Sequence, residues 1–133
     1  MLYFETSHRP VPRLGFGTWE LEGDDASDAV KTALELGYRH IDPAIAYDNE
    51  KQVGNAIAES GVARDEIFLT TKIFLKDIRN GRVAEATDES LDRLGTDYVD
   101  LLLLHWPVND MPIRDQVTQL AEIKKSGKAK LVG

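Results

Sequence analysis

Apolar positions along this chain keep switching between two spacings, and the switches mark out its elements. Across residues 25–37 they recur three and four apart, at Ala26, Ala29, Val30, Ala33 and Leu34, which is one face of an α-helix. Acidic residues crowd its start and Gly37 offers a C-terminal cap. Residues 38–42 then read as a strand. Asn49 is placed to cap a second helix with Val53, Ile57 and Ala58 on one face, ended by Gly61. The Ile, Phe and Thr content of residues 67–72 predicts a strand. A third helix opens at Asn80, turns Val83, Ala84, Thr87, Leu91 and Leu94 inward, and stops at Gly95. Residues 98–105 form the most strand-like run in the chain. A fourth helix, near 115–126, lines up Val117, Leu120, Ala121 and Lys124 before Gly127, and Ala129–Val132 begins another strand.

With residues 14–18 as an opening strand, the order is β-α-β-α-β-α-β-α and then part of a ninth element. That alternation calls for a parallel sheet with crossover helices. An open doubly wound sheet and a (β/α)8 barrel both fit the rhythm. The Gly15-Phe-Gly17 turn lacks the third glycine of a dinucleotide fingerprint, which removes the main support for the open sheet.

Composition adds limits. With 133 residues, 42% of them hydrophobic, the chain is expected to make one domain over 1–133. The absence of cysteine excludes disulfides and thiolate metal sites and suits a cytoplasmic location. The longest apolar run, residues 101–104, is too short to cross a bilayer. A net charge of −7 repels phosphate backbones and anionic lipid, so neither nucleic acid nor membrane is expected as a partner.

The candidate chemistry sits at strand ends, where three successive strands finish on Asp42, Lys72 and His105. In barrels that end carries the active face. Side chains alternate along a strand, so Tyr38, His40 and Asp42 share a face, as do Phe68, Thr70 and Lys72, and Val99, Leu101, Leu103 and His105. If those faces point inward, the three groups converge at one mouth. A phenol is a sluggish acid near neutrality, and an adjacent ammonium stabilises the anion it leaves behind. Lys72 would supply that field, Asp42 would hold Lys72, and Tyr47 would be the proton donor. A neutral His105 would hydrogen-bond a carbonyl oxygen and orient it.

Other residues have plainer expected roles. His40 is expected as a hydrogen-bonded core histidine, His8 as an exposed residue of an N-terminal hairpin or arm, and Asp100 as a helix-layer contact or cap. Trp19 and Trp106 fit hydrophobic packing as well as a ligand wall, and Tyr98 has a packing role. Taken alone, Asp42 and Lys72 also fit a structural ion pair.

Several segments together resemble the aldo-keto reductase family. They are Gly15-Phe-Gly-Thr-Trp19, Gly37-Tyr-Arg-His-Ile-Asp42, Tyr47-Asp-Asn-Glu50, Thr70-Thr-Lys72, Ser90-Leu91, Asp97-Tyr-Val-Asp-Leu101 and His105-Trp-Pro107. They stand in family order and cover essentially the whole chain. The Tyr47–Glu50 run and the Ala58-Glu-Ser-Gly61 helix end most resemble the bacterial 2,5-diketo-D-gluconate reductases, which also reduce small aldehydes such as methylglyoxal. The resemblance implies a TIM-type (β/α)8 barrel, present here as four βα units plus the start of a fifth strand.

It further implies a catalytic tetrad of Asp42, Tyr47, Lys72 and His105, with NADPH delivering hydride to a small carbonyl substrate. Gly17, Thr18 and Asp42 match positions near the nicotinamide, while Trp19, Tyr47, His105 and Trp106 match the substrate pocket. Pro43 stands where the family usually has threonine, removing an N–H and a hydroxyl beside Asp42. The remaining cofactor contacts would lie beyond Gly133. A half-barrel leaves its inner face and edges open, so self-association, a complementing C-terminal half, or truncation of a longer enzyme is expected, and a sequence ending inside a strand makes truncation the simplest of the three. Two other functions fit the residues: a non-catalytic half-barrel module, and a Schiff-base enzyme using Lys72.

Overall fold

A computed structural model describes residues 2–133. Strands β1 (Tyr3–Phe4) and β2 (Val11–Pro12) form a small antiparallel hairpin. The rest alternates as β3 (Phe16–Gly17), α1 (Gly23–Glu35), β4 (His40–Asp42), α2 (Glu50–Glu59), β5 (Phe68–Ile73), α3 (Leu75–Arg79), α4 (Val83–Leu94), β6 (Val99–Leu104), α5 (Ile113–Ser126) and β7 (Ala129–Val132). One-turn 3-10 segments, Ile45–Tyr47 and Arg64–Glu66, precede α2 and β5.

Strands β3 to β7 form one parallel sheet in chain order, β3-β4-β5-β6-β7. That order has no reversal point. A doubly wound sheet would have one, so the topology is that of a barrel segment. The core lies between the outer face of the sheet and the helices. Ile41, Leu69, Ile73 and Leu102 are buried there against Val30 and Leu34 of α1, Val53 and Ile57 of α2, and their counterparts on α4 and α5. Burial of each such side chain contributes roughly 1.5–3 kcal/mol. On the opposite, inner face, Leu101, Leu103 and Leu131 are only half-buried.

One close approach requires glycine. A Cβ on Gly54 of α2 would lie 2.5 Å from the Leu94 carbonyl oxygen, at the end of α4. Gly95 then adopts φ 63° and ends α4 in the left-handed conformation.

Several expectations need correction. The strands foreseen at 14–18 and 38–42 shrink to β3 and β4, because β3 is an edge paired only at Phe16 and Gly17. Asn80 follows α3, a short helix the pattern did not reveal, and α4 begins at Val83. Ala56 and Ala86 are buried where Ala58 and Ala84 were expected. On α5 the buried positions are Gln116, Leu120 and Ile123, while Val117 is half exposed and Lys124 faces solvent. The cause is a satisfied amide. Gln116 accepts from the Val108 N–H at 2.8 Å and donates to the Val108 and Met111 carbonyls at 2.7 and 2.8 Å, so a polar residue takes an inward position.

Asp100 also departs from expectation. Rather than meeting the helix layer, it is wholly buried near the start of β6 and accepts the Leu69 N–H at 2.9 Å. It pairs with Arg9 at 2.9 Å and Arg64 at 3.2 Å. His8 lies in the β1–β2 connection and is exposed, as foreseen, yet its Nε2 reaches Asp100 at 3.1 Å. The hairpin is thereby tied to the N-terminal end of the sheet. No helix among the described residues is long and apolar enough to cross a membrane.

Candidate active site

The C-terminal strand ends bring together the groups the sequence singled out. Asp42 closes β4, Lys72 lies one residue before the end of β5, and His105 follows β6. The backbone N–H of His105 still donates to the Ile73 carbonyl at 2.9 Å, which extends the β5–β6 ladder and fixes where its ring starts. Tyr47 ends the 3-10 turn after β4, and Asp48 follows with φ 52°.

Lys72 is the hub. Its Nζ lies 2.8 Å from Asp42 Oδ1 and donates to the Pro43 carbonyl at 2.9 Å. The Asp42 contact falls outside hydrogen-bonding angles, so charge rather than a directed bond holds the pair. Pro43 contributes its carbonyl, the group proline shares with every other residue, and its missing N–H plays no part in this contact. The same Nζ sits 5.1 Å from the centre of the Tyr47 ring without a hydrogen bond to the hydroxyl.

His105 completes the cluster. Its ring meets Tyr47 edge-on at 5.6 Å and stacks on Trp106 at 4.0 Å with an interplanar angle of 11°. Burial, aided by the Lys72 ammonium and opposed by Asp42, holds its pKa below the usual 6.5. The imidazole is therefore neutral at physiological pH and able to donate one hydrogen bond. Its Nδ1 is buried and has no hydrogen-bond partner among the described residues.

Gly17 pairs in register with Asp42, and a Cβ there would meet nothing within 4 Å. Thr18 is wholly buried, with its hydroxyl donated to Asn49 Oδ1 at 3.3 Å. It supports the turn from beneath. Trp19 and Trp106 are 69% and 54% exposed, so neither is an ordinary core residue. His40 lies deeper, with Nε2 3.0 Å from Thr70 Oγ1 and Nδ1 3.4 Å from the Pro12 carbonyl, and burial lowers its pKa.

Two neighbours of Tyr47 carry more than the sequence suggested. Asn49 does not cap α2 with its side chain. Its Nδ2 donates to the Thr18 and Leu21 carbonyls at 2.7 and 2.9 Å. Glu50 is buried and accepts from Thr71 and Ser90 at 2.6 Å each and from Arg93 at 2.9 and 2.7 Å. Thr71 adjoins Lys72, so this carboxylate links the start of α2 to the C-terminal half of β5. The signal was present, since Glu50 falls on the apolar stripe of Val53 and Ile57, where an unpaired carboxylate would be costly.

The sequence model of the Aldo/keto reductase family matches residues 13–133, nearly the whole chain. The chain belongs to the aldo/keto reductase family. Methylglyoxal reductase DkgB of Escherichia coli O157:H7 is 46% identical over 125 residues, covering 92% of this chain and 47% of the relative. The NADP(+) glycerol 2-dehydrogenase of Saccharomyces cerevisiae is 50% identical over 119 residues, 88% of this chain and 38% of its own. A solved structure described as a 2,5-diketo-D-gluconic acid reductase B superposes with a TM-score of 0.93 at 42% identity, over 100% of this chain and 48% of that one. This aldo/keto reductase chain thus spans about half the length of the curated relatives it matches, and its sheet is half of the family's barrel.

Proposed function

We propose that this chain provides the acid–base half of an NADPH-dependent carbonyl reductase. It would reduce a small aldehyde or ketone, such as a 2-oxoaldehyde or an oxo-sugar acid, to the alcohol. The observation that carries the proposal is the position of Lys72, between the Asp42 carboxylate at 2.8 Å and the Tyr47 ring at 5.1 Å.

Tyr47 donates its proton to the carbonyl oxygen, and the Lys72 ammonium stabilises the phenolate left behind. Asp42 keeps that ammonium in place. Neutral His105 hydrogen-bonds the carbonyl oxygen and orients it, and the exposed Trp19 and Trp106 flank the substrate. When bound, NADPH supplies the hydride that adds to the carbonyl carbon. The open side of Gly17 and the partly exposed carboxylate of Asp42 fit the nicotinamide end of such a cofactor, with Thr18 bracing them.

Five parallel strands do not close a barrel. Activity therefore requires a C-terminal half, supplied by the same polypeptide or by another. The half-buried Leu101, Leu103 and Leu131 on the inner face favour that requirement over an independent module. The Schiff-base alternative is disfavoured, because the Lys72 amine is already engaged by Asp42 and Pro43.

The test mixes this chain with a separately produced C-terminal half of a relative, adds NADPH and methylglyoxal, and follows nicotinamide oxidation. Turnover in the complemented mixture is expected. No turnover despite demonstrated association of the halves would overturn the proposal. Borohydride trapping should leave Lys72 unmodified.

A further inference from the structure

The turn that carries Trp19 is poorly supported by its own residues. It is closed by one hydrogen bond, from the Leu21 N–H to the Thr18 carbonyl at 3.2 Å. Between them Glu20 takes φ 61°, a left-handed conformation unfavourable for a side chain with a Cβ. The Trp19 indole itself stands 69% exposed, and among the described residues no aromatic ring packs against it. Something outside the turn must hold it.

Asn49 meets that need. It is 1% exposed, and its carboxamide uses both donor directions on the turn, at the Thr18 and Leu21 carbonyls, while its oxygen accepts the Thr18 hydroxyl. The three bonds bracket Trp19 from both sides. Because the side chain leaves α2 uncapped, helix formation does not account for an asparagine here. Asn49 also lies two residues after Tyr47, on the same short connection.

We infer that Asn49 is a positioning residue that fixes Trp19 relative to Tyr47, and so sets the width of the substrate pocket between an indole wall and the proton donor. The assignment of Trp19 as a wall rests on the function proposed above; the tether itself does not. Asn49→Asp keeps the shape of the side chain but turns a carboxylate oxygen towards two carbonyl oxygens. The turn should then come loose while α2 remains.

The chain has two tryptophans, so Trp106→Phe leaves Trp19 as the sole indole probe. In that background N49D should enlarge the fast component of the Trp19 anisotropy decay, with helix content unchanged. An unchanged decay would overturn the inference. Should N49D fail to fold, the unmodified chain still decides the matter by nuclear magnetic resonance. The Asn49 side-chain amide protons should exchange with solvent far more slowly than those of exposed Asn55, and equal rates would overturn the tether.

In the complemented enzyme, N49D should raise KM for methylglyoxal severalfold with a smaller change in kcat. A loose Trp19 with unchanged KM would keep the tether and remove Trp19 from the substrate pocket. If the unmodified complemented chain shows no turnover, the functional proposal fails and the anisotropy and exchange results alone judge Asn49.

Discussion

Lys72 Nζ and Asp42 Oδ1 stand 2.8 Å apart at the ends of neighbouring parallel strands, and both charges act on His105. The ammonium lowers the His105 pKa and the carboxylate raises it. Removing each should therefore move it in opposite directions. Lys72→Met is expected to raise it and Asp42→Asn to lower it, as read from the pH titration of the His105 ring resonances. Shifts of the same sign in both variants would show that the pair acts through altered packing instead.

Tyr47→Phe removes one hydroxyl and leaves the ring against His105. In the complemented enzyme kcat should fall by at least about a hundredfold, the lower range for loss of a general acid. NADPH affinity, measured by fluorescence titration, should stay near its original value. Unchanged turnover would exclude Tyr47 as the proton donor.

Acid should weaken the fold through His40 and His105. Both have folded-state pKa values depressed by burial, so the unfolded chain binds more protons as pH falls below 6.5. Their contribution to stability is intact above 6.5 and is lost as pH drops through the folded values, where it levels off. Denaturant midpoints measured between pH 7.5 and 5.5 should decline, and His40→Gln should flatten part of that slope.

Glu50 tests the buried network. Glu50→Ala leaves Arg93 without its carboxylate and two hydroxyls without an acceptor. A loss on the order of 3 kcal/mol is expected, read as a lower denaturation midpoint with unchanged slope. A loss below about 1 kcal/mol would mean that water replaces the network readily.

Gly54→Ala sets two effects against each other. Alanine improves helix propensity by about 1 kcal/mol. Its methyl, however, would stand 2.5 Å from a backbone oxygen at Leu94, and forcing the helices apart costs roughly 1–3 kcal/mol. The backbone cannot swing aside as a side-chain tip would, so the Tm should fall.

The sequence located the strand-end groups well because strand alternation is a rigid rule: Asp42, Lys72 and His105 share the inner face their parity assigned. Tyr47 arrives beside them through a 3-10 turn that no periodicity announced. Asn49, Glu50 and Gln116 were misjudged or passed over for one reason. A buried polar side chain is identified by its partners, which are backbone groups, hydroxyls and a guanidinium: remote in the chain for Asn49 and Glu50, and in the loop just before α5 for Gln116. The same is true of Asp100, whose partners Arg9 and Arg64 are far from it in the chain. Register and propensity carry no information about such pairings.

The loop bearing Trp106 is moored by the amide of Gln116, just as the turn bearing Trp19 is moored by that of Asn49. Carboxamides neither gain nor lose charge across the range in which an imidazole titrates. Acidification thus puts a charge on the His105 imidazole without releasing either amide tether, so the shape of the cleft and its charge answer to separate controls.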